Sequence, residues 1–314
     1  MSEPLVSVVV ATHDRPARLE RLLDALSEQT LATFEVIVAA AGSPPSTEAV
    51  LNEELARGRL ALRVISLPVA LGPGVSRNAG WRSARAPLVA FTDDDCVPDS
   101  RWLAAARDAH LAHPTAIVQG RTEPDPHEAP DAGLLSRSVR IDALGPQYET
   151  CNILYPRELL EELGGFDEDF GPGPGGEDTD LAWRALDQGR TAVFASNAVV
   201  FHAVHRLGLL DQLRFARRWT DTMRIYAEHP GTRTMLHRRI FWNVWHYLLL
   251  RSAVAMLLPA WLRRPLLTMH LLTLAQRARR ERAGAWAVPF LLVHDAVEMF
   301  AVIRGAIRYR TLVL

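Results

Sequence analysis

Short apolar runs alternate with polar, helix-patterned stretches through the first two hundred positions. Val6 to Ala11 is apolar throughout, which marks a strand buried on both faces of a parallel sheet. Thr12-His13-Asp14-Arg15-Pro16 breaks the run as a turn, with Pro16 suited to a first helical turn. Leu19, Leu22, Leu23 and Leu26 then form a stripe at helical spacing. The same sequence of signals recurs. Phe34 to Ala39 predicts a strand, Gly42-Ser43-Pro44-Pro45 a break, Thr47 to Arg57 a helix and Leu62 to Leu67 a third strand. Gly72-Pro73-Gly74-Val75-Ser76-Arg77-Asn78-Ala79-Gly80 is a glycine-rich turn entering a helix, where the backbone can approach a phosphate or a base. Leu88 to Phe91 predicts the next strand. Strands alternating with helices imply an α/β fold with a mostly parallel, doubly wound sheet flanked by helices.

Beyond residue 100 the pattern loosens. Ile117 to Gly120 predicts a strand, and Glu123 to Gly133, rich in proline and acids, a surface loop. Arg157 to Leu163 predicts a short helix. A glycine-proline loop from Gly171 to Gly176, a candidate lid, leads into Glu177-Asp178-Thr179-Asp180, which opens a helix carrying Leu181, Trp183 and Leu186. Ala192 to Phe201 predicts a strand ending at His202. From Arg206 the character changes, and the chain divides into residues 1–205 and a helical, arginine-rich extension over 206–314. Leu209 to Tyr226 reads as one long amphipathic helix. Phe241 to Leu258 and Trp286 to Ile303 are apolar, but Arg251 interrupts the first, and His294, Asp295 and Glu298 the second. A spanning helix wants about 20 residues with few charges, which neither segment offers. Tryptophan and arginine beside apolar helices suit a helix lying in a membrane interface, with Arg277, Arg279, Arg280 and Arg282 as its basic cluster. The alternatives are an ordinary helical subdomain packed on the α/β part, or a homodimer interface.

Composition narrows the classes. The chain has 314 residues, 48% of them hydrophobic, enough for one large core and an appendage. Its formal net charge of -1 gives no argument for nucleic acid as a partner, and all 35 basic residues are arginine. The cysteines, Cys96 and Cys151, form neither a metal-type spacing nor a disulfide framework, which fits a reducing cytoplasm. The N-terminus lacks the basic start and the longer apolar stretch of a signal peptide.

The chemistry concentrates where Leu88 to Phe91 ends in Thr92-Asp93-Asp94-Asp95. In an extended segment Asp93 and Asp95 face one way and can share a ligand, while Asp94 faces the other. Adjacent carboxylates repel, and a hard divalent cation, Mg²⁺ or Mn²⁺, relieves the repulsion. The alternative is a solvated acidic turn or a helix cap at Asp99-Ser100. Acids at Glu177 to Asp180 are favoured by the helix dipole alone. A histidine at position 202 is equally at home as a hydrogen-bonded core residue.

Taken together, Ser7-Val8-Val9-Val10-Ala11-Thr12-His13-Asp14-Arg15-Pro16, Phe34-Glu35-Val36-Ile37-Val38, Gly42-Ser43, Ser76-Arg77-Asn78-Ala79-Gly80, Phe91-Thr92-Asp93-Asp94-Asp95, Gly164-Gly165-Phe166-Asp167-Glu168, Gly176-Glu177-Asp178-Thr179-Asp180-Leu181 and His202 occur in the order and spacing of a known family. Over residues 5 to 205 the chain resembles an inverting family 2 glycosyltransferase of the GT-A type. The resemblance implies a nucleotide-binding GT-A fold and transfer from a nucleotide-sugar donor to a glycan or lipid-linked acceptor in cell-envelope polysaccharide synthesis. With the interfacial reading of the C-terminal helices and the reducing compartment, the expected location is the cytoplasmic face of the membrane. By resemblance Asp178 is the catalytic base, Glu177 and Asp180 stand on the acceptor side or support it, and Thr12, Arg77 and Asp93 are donor-binding. Asp95 and His202 are the implied ligands of Mn²⁺ or Mg²⁺. One departure stands out: the family's base-reading Asp after the second strand is replaced by Ala39-Ala40-Ala41. Either another group reads the base, or the donor is not of the uridine type, or activity is lost. The rivals are thus a non-catalytic scaffold in an envelope-assembly complex and, less favoured, a nucleotidyltransferase. The last is disfavoured because no arginine-rich glycine loop stands near residue 12 and because the Gly-Glu-Asp helix start is present.

Overall fold

A computed structural model describes residues 3–170 and 175–314. The part of the Gly171 to Gly176 loop from 171 to 174 therefore lies outside the described residues. The chain forms two compact units. The first comprises the chain up to Ala129 together with Ser138–Ala203, and the second Pro130–Arg137 with Val204–Leu314.

In chain order the elements are β1 (Val6–Thr12), α1 (Pro16–Ser27), β2 (Phe34–Ala41), α2 (Pro45–Arg57), β3 (Leu62–Leu67), α3 (Pro73–Arg82), β4 (Leu88–Asp93), β5 (Cys96–Pro98), α4 (Trp102–Ala112) and β6 (Ile117–Pro124). There follow β7 (Ser136–Arg137), β8 (Ile153–Pro156), α5 (Arg157–Leu163), α6 (Glu177–Asp187), β9 (Ala192–His202) and β10 (His205–Arg206). The helices α7 (Leu209–Ala216), α8 (Met223–Glu228), α9 (Val244–Ala255), α10 (Ala260–Arg280) and α11 (Ala287–Arg308) complete the chain.

The first unit holds an eight-stranded sheet in the order β3-β2-β1-β4-β8-β6-β9-β5. The pairs β3-β2, β2-β1, β1-β4 and β6-β9 are parallel, and β8 and β5 run antiparallel to their neighbours. With helices on both faces this is a mostly parallel α/β sheet. Its faces follow from the period of two along each strand. Val6, Val8 and Val10 of β1 pack with Leu19, Leu22, Leu23 and Leu26 of α1, whereas Val9, with Ile37, Val89 and Phe91, packs toward Trp81 of α3 and Leu181 of α6. Gly80 lets α3 lie against β1, since a Cβ there would collide with Cγ1 of Val9.

Register places the site. Thr12 lies opposite Ala40, and Ala11 lies between Ala39 and Asp93. The carboxyl ends of β1, β2 and β4 are therefore level, at the edge where open α/β sheets bind ligands. The short β5 turns back from β4 and pairs Cys96 with His202 of β9. Neither β5 nor β8 was expected from the apolar pattern, because three and four residues show no readable period.

In the second unit, the expected single helix over Leu209 to Tyr226 is broken. A 3₁₀ turn over Arg217–Thr220 separates α7 from α8. Packing on α11 overrides the local pattern: Gly305 admits the Thr220 carbonyl, and Thr220 Oγ1 donates to the Ala301 carbonyl at 3.3 Å. Asp295 and Glu298, which interrupt the apolar run of α11, are buried partners of its neighbours. Arg277 of α10 donates to Asp295 at 2.9 and 3.2 Å, and Asn243 at the start of α9 donates to Glu298 at 3.0 Å. Among the described residues no helix is long and apolar enough to cross a membrane.

Candidate active site

The three aspartates do not alternate as an extended strand would have them. β4 ends at Asp93, and Asp94 and Asp95 lie in the turn to β5. Asp94 and Asp95 therefore share a partner: one Arg15 nitrogen donates to Asp94 Oδ1 at 3.0 Å and to Asp95 Oδ2 at 2.7 Å. Thr12 Oγ1 donates to Asp94 Oδ2 at 2.8 Å, so Thr12 holds the acidic turn directly. Burial, against the pull of Arg15 and with the push of Asp95, raises Asp94 to about 6.

Asp93 turns the other way. Arg77 of α3 donates to Asp93 Oδ1 at 2.8 Å and, through its other terminal nitrogen, to Glu177 Oε1 at 3.0 Å. Burial works against the Arg77 charge, but Asp93 and Glu177 outweigh it and hold the guanidinium above its ordinary value. One buried cation thus joins the end of β4 to the start of α6. The adjacent Asn78 fastens the same region, because its amide donates to the Phe166 carbonyl at 2.8 Å and to Glu168 at 2.7 Å. The sequence segments around Arg77, Phe166 and Glu177, far apart in the chain, are here one bonded cluster.

Asp178 sits in the first turn of α6 next to Glu177. Its Oδ1 accepts the Thr179 backbone N–H at 2.8 Å. Burial pushes its carboxyl well above the usual range, to about 8; the Glu177 charge adds to this, Arg77 opposes it, and Glu149 adds further. Glu177 also accepts the Gly175 N–H at 2.9 Å. Asp180 faces elsewhere, accepting from Arg184 at 2.8 Å, and Arg184 donates to the carbonyls of Leu163 and Gly165. Arg184 thereby ties the first turn of α6 to the Leu163 and Gly165 carbonyls.

His202 donates from Nδ1 to the Ala203 carbonyl at 2.9 Å, which turns Nε2 toward Asp95 Oδ1, 3.6 Å away. Asp95, Cys96 and His202 bring ligand atoms within 4.8 Å of one another. A carboxylate and an imidazole fixed by a backbone carbonyl are a donor set that fits a divalent cation. Cys96 was not expected here, since its spacing to Cys151 carries no signal; its cross-strand place opposite His202 puts it there. Arg15 and Glu149 were likewise missed as site residues. Arg15 belongs to a turn and to a family-like segment with no role of its own assigned, and Glu149 lies in an irregular stretch with no period. Ala39 to Ala41 are buried at the end of β2, and His13 Nδ1 donates to the Ala41 carbonyl at 2.7 Å.

The sequence model "Glycosyl transferase family 2" matches residues 7–164, and "Glycosyl transferase family group 2" matches 148–278. Validoxylamine A glucosyltransferase of Streptomyces hygroscopicus subsp. jinggangensis is 30% identical over 277 residues, covering 77% of this chain and 64% of its own length. Pre-mycofactocin glycosyltransferase of Mycobacterium tuberculosis is 27% identical over 219 residues, covering 66% and 44%. The chain thus spans under two thirds of these relatives. Among solved structures, mannosyltransferase PcManGT from Pyrobaculum calidifontis in complex with GDP-Man and Mn²⁺ superposes with a TM-score of 0.62 at 22% identity, over 99% of this chain and 88% of that one. Staphylococcus aureus TarS in complex with UDP gives 0.56 at 16% identity, over 98% and 92%. At these identities the likeness is one of fold, the GT-A arrangement.

Proposed function

The chain belongs to glycosyltransferase family 2, and from that premise we propose that it moves a sugar, with inversion, from a nucleotide-diphosphate donor to a hydroxyl of a glycan or lipid-linked acceptor. The observation that carries this reading is the Arg77 bridge from Asp93 to Glu177, because it sets Asp178 beside the carboxyl edge of β4. Thr12, Arg77 and Asp93 take the donor side. Asp178 removes the acceptor proton as the hydroxyl oxygen bonds to the anomeric carbon. The bond from that carbon to the diphosphate oxygen breaks on the opposite face, and the nucleoside diphosphate leaves with its electron pair. Burial at Asp178 favours this role, since a carboxyl with a raised pKa is a stronger base once ionised. Mn²⁺ or Mg²⁺ held by Asp95 and His202 would neutralise charge on the departing diphosphate. Glu177 and Asp180 support α6. A lipid-linked acceptor in envelope polysaccharide synthesis places the protein at the cytoplasmic membrane face.

Hydrolysis and transfer assays with a panel of nucleotide sugars test this. The expected result is turnover with Mn²⁺ that disappears in EDTA and in Asp95→Ala. Nucleotide affinity unchanged between Mn²⁺ and EDTA would remove the metal from the scheme. Ala39 to Ala41 favour a second reading, a non-catalytic scaffold. Binding of no nucleotide, with no turnover of any donor, would establish it.

A further inference from the structure

Within the second unit the basic and acidic residues are unevenly distributed. From His229 to Arg280 there are nine arginines and neither aspartate nor glutamate. The nearest acids on α11 face inward, Asp295 onto Arg277 and Glu298 onto Asn243 and His246. The basic cluster at the end of α10 is thereby partly neutralised from within. Arg263 and Arg264, by contrast, make no ion pair among the described residues.

These two arginines stand beside an apolar tip. The turn from α9 into α10 exposes Met256, Leu257 at 87%, Trp261 at 73% and Leu262. α10 is anchored by His270, Leu274 and Ala278, one stripe four residues apart. Its outward face carries Met269 and Leu272. Adjoining the tip, an open apolar groove of about 310 Å³ runs between Tyr247, Val254, Leu258 and Leu266. Arg251 borders that groove with a buried Nε that has no hydrogen-bond partner, and its terminal nitrogens reach only the Met269 sulfur and, at 3.4 Å, the Leu266 carbonyl.

We propose that the α9–α10 turn is a wedge that docks the protein on an anionic phospholipid bilayer. Leu257 and Trp261 enter the head-group boundary, Arg263 and Arg264 meet lipid phosphates, and the groove beside Arg251 receives one acyl chain. Charge decides the occupant: an acid-free stretch of arginines complements an anionic surface, and a large exposed tryptophan with leucines suits the interface of a bilayer. Among the described residues no helix is long and apolar enough to cross a membrane, and the wedge as proposed engages one face. The inference rests on the membrane-side part of the proposed function and not on its transfer chemistry.

Co-sedimentation of the full chain with vesicles tests it, using phosphatidylcholine alone or mixed with phosphatidylglycerol. The expected result is partition onto the mixed vesicles that weakens with salt, and little onto the neutral ones. Leu257→Glu with Trp261→Glu should reduce partition at least about tenfold, and loss of each of Arg263 and Arg264 about fivefold. Leu257, Trp261 and Arg264 are exposed and Arg263 is half-buried without an ion pair, so melting temperature and donor hydrolysis should match the parent. Partition that ignores the tip variants, or no partition at all, overturns the wedge. So does self-association that the same variants abolish, since it would make the tip an interface between copies. Donor hydrolysis measured without vesicles reports separately on the glycosyltransferase reading.

Discussion

Asp178 carries the sharpest residue-level expectations. Its folded pKa lies above that of an unfolded aspartate, so the native state holds the proton more tightly. Stability from this group is therefore lost as pH rises from the ordinary carboxylate value toward about 8. Asp178→Asn keeps the acceptor for the Thr179 N–H and cannot ionise. It should melt higher than the parent at pH 8, with the difference vanishing near pH 4. A lower melting temperature at pH 8 would mean that the carboxylate serves mainly as a helix cap. The same variant should bind donor nucleotide like the parent and lose about 10² to 10⁴-fold in transfer. With the parent, kcat/KM should rise with pH along a limb well above the usual carboxylate range. A flat profile from mildly acidic to mildly basic pH would move the base elsewhere, with Glu177 next in line.

At the scale of elements, the site depends on how closely α3 lies on the sheet. Arg77 and Asn78 reach their partners because Gly80 brings the helix against Val9. Val9 is buried in a strand that has neighbours on both sides and has little room to yield. Gly80→Ala should cost about 1–3 kcal/mol by overpacking, read as a drop in the chemical-denaturation midpoint. It should also weaken donor binding, because Arg77 rides on the displaced helix. Full stability and full affinity in Gly80→Ala would show that α3 can shift without consequence. Below that packing lies a local logic that was readable beforehand: β-branched runs for β1 to β3, a leucine stripe for α1, Pro16 at its start. What periodicity missed at this scale is the break between α7 and α8, where a contact with α11 outweighs helical preference.

For the molecule as a whole, the proposed ligand is linked to stability. A nucleoside diphosphate that binds only the folded state, present with Mn²⁺ at about a hundredfold excess over its Kd, should stabilise by about 2.7 kcal/mol. A thermal-shift series across nucleobases would then rank the bases directly. This matters because Ala39 to Ala41 leave the end of β2 without a carboxylate, and His13 holds the Ala41 carbonyl at that edge. The same shift for every base would mean that the diphosphate alone is read. No shift with any base would favour the scaffold.

By itself the sequence determined β1 to β4, β6, β9 and the helices α1, α2, α3, α5 and α6, since apolar period and turn residues are local properties that each segment carries wherever it packs. It also determined which segments bear the chemistry, because runs such as Asp93-Asp94-Asp95 and Glu177-Asp178 stand out against their surroundings. Tertiary structure alone decided how those groups are paired. Arg15 gathers Asp94 and Asp95, Arg77 ties Asp93 to Glu177, and Glu149 bears on Asp178, each across a separation that no local pattern encodes. The two shortest strands, β5 and β8, illustrate the reason. Their pairing energy comes from neighbours distant in the chain, and β5 is what turns the acids out of the strand and sets Cys96 against His202. The inward orientation of Asp295 and Glu298 has the same origin: whether a charge interrupts an apolar helix or anchors it depends on the helix beside it.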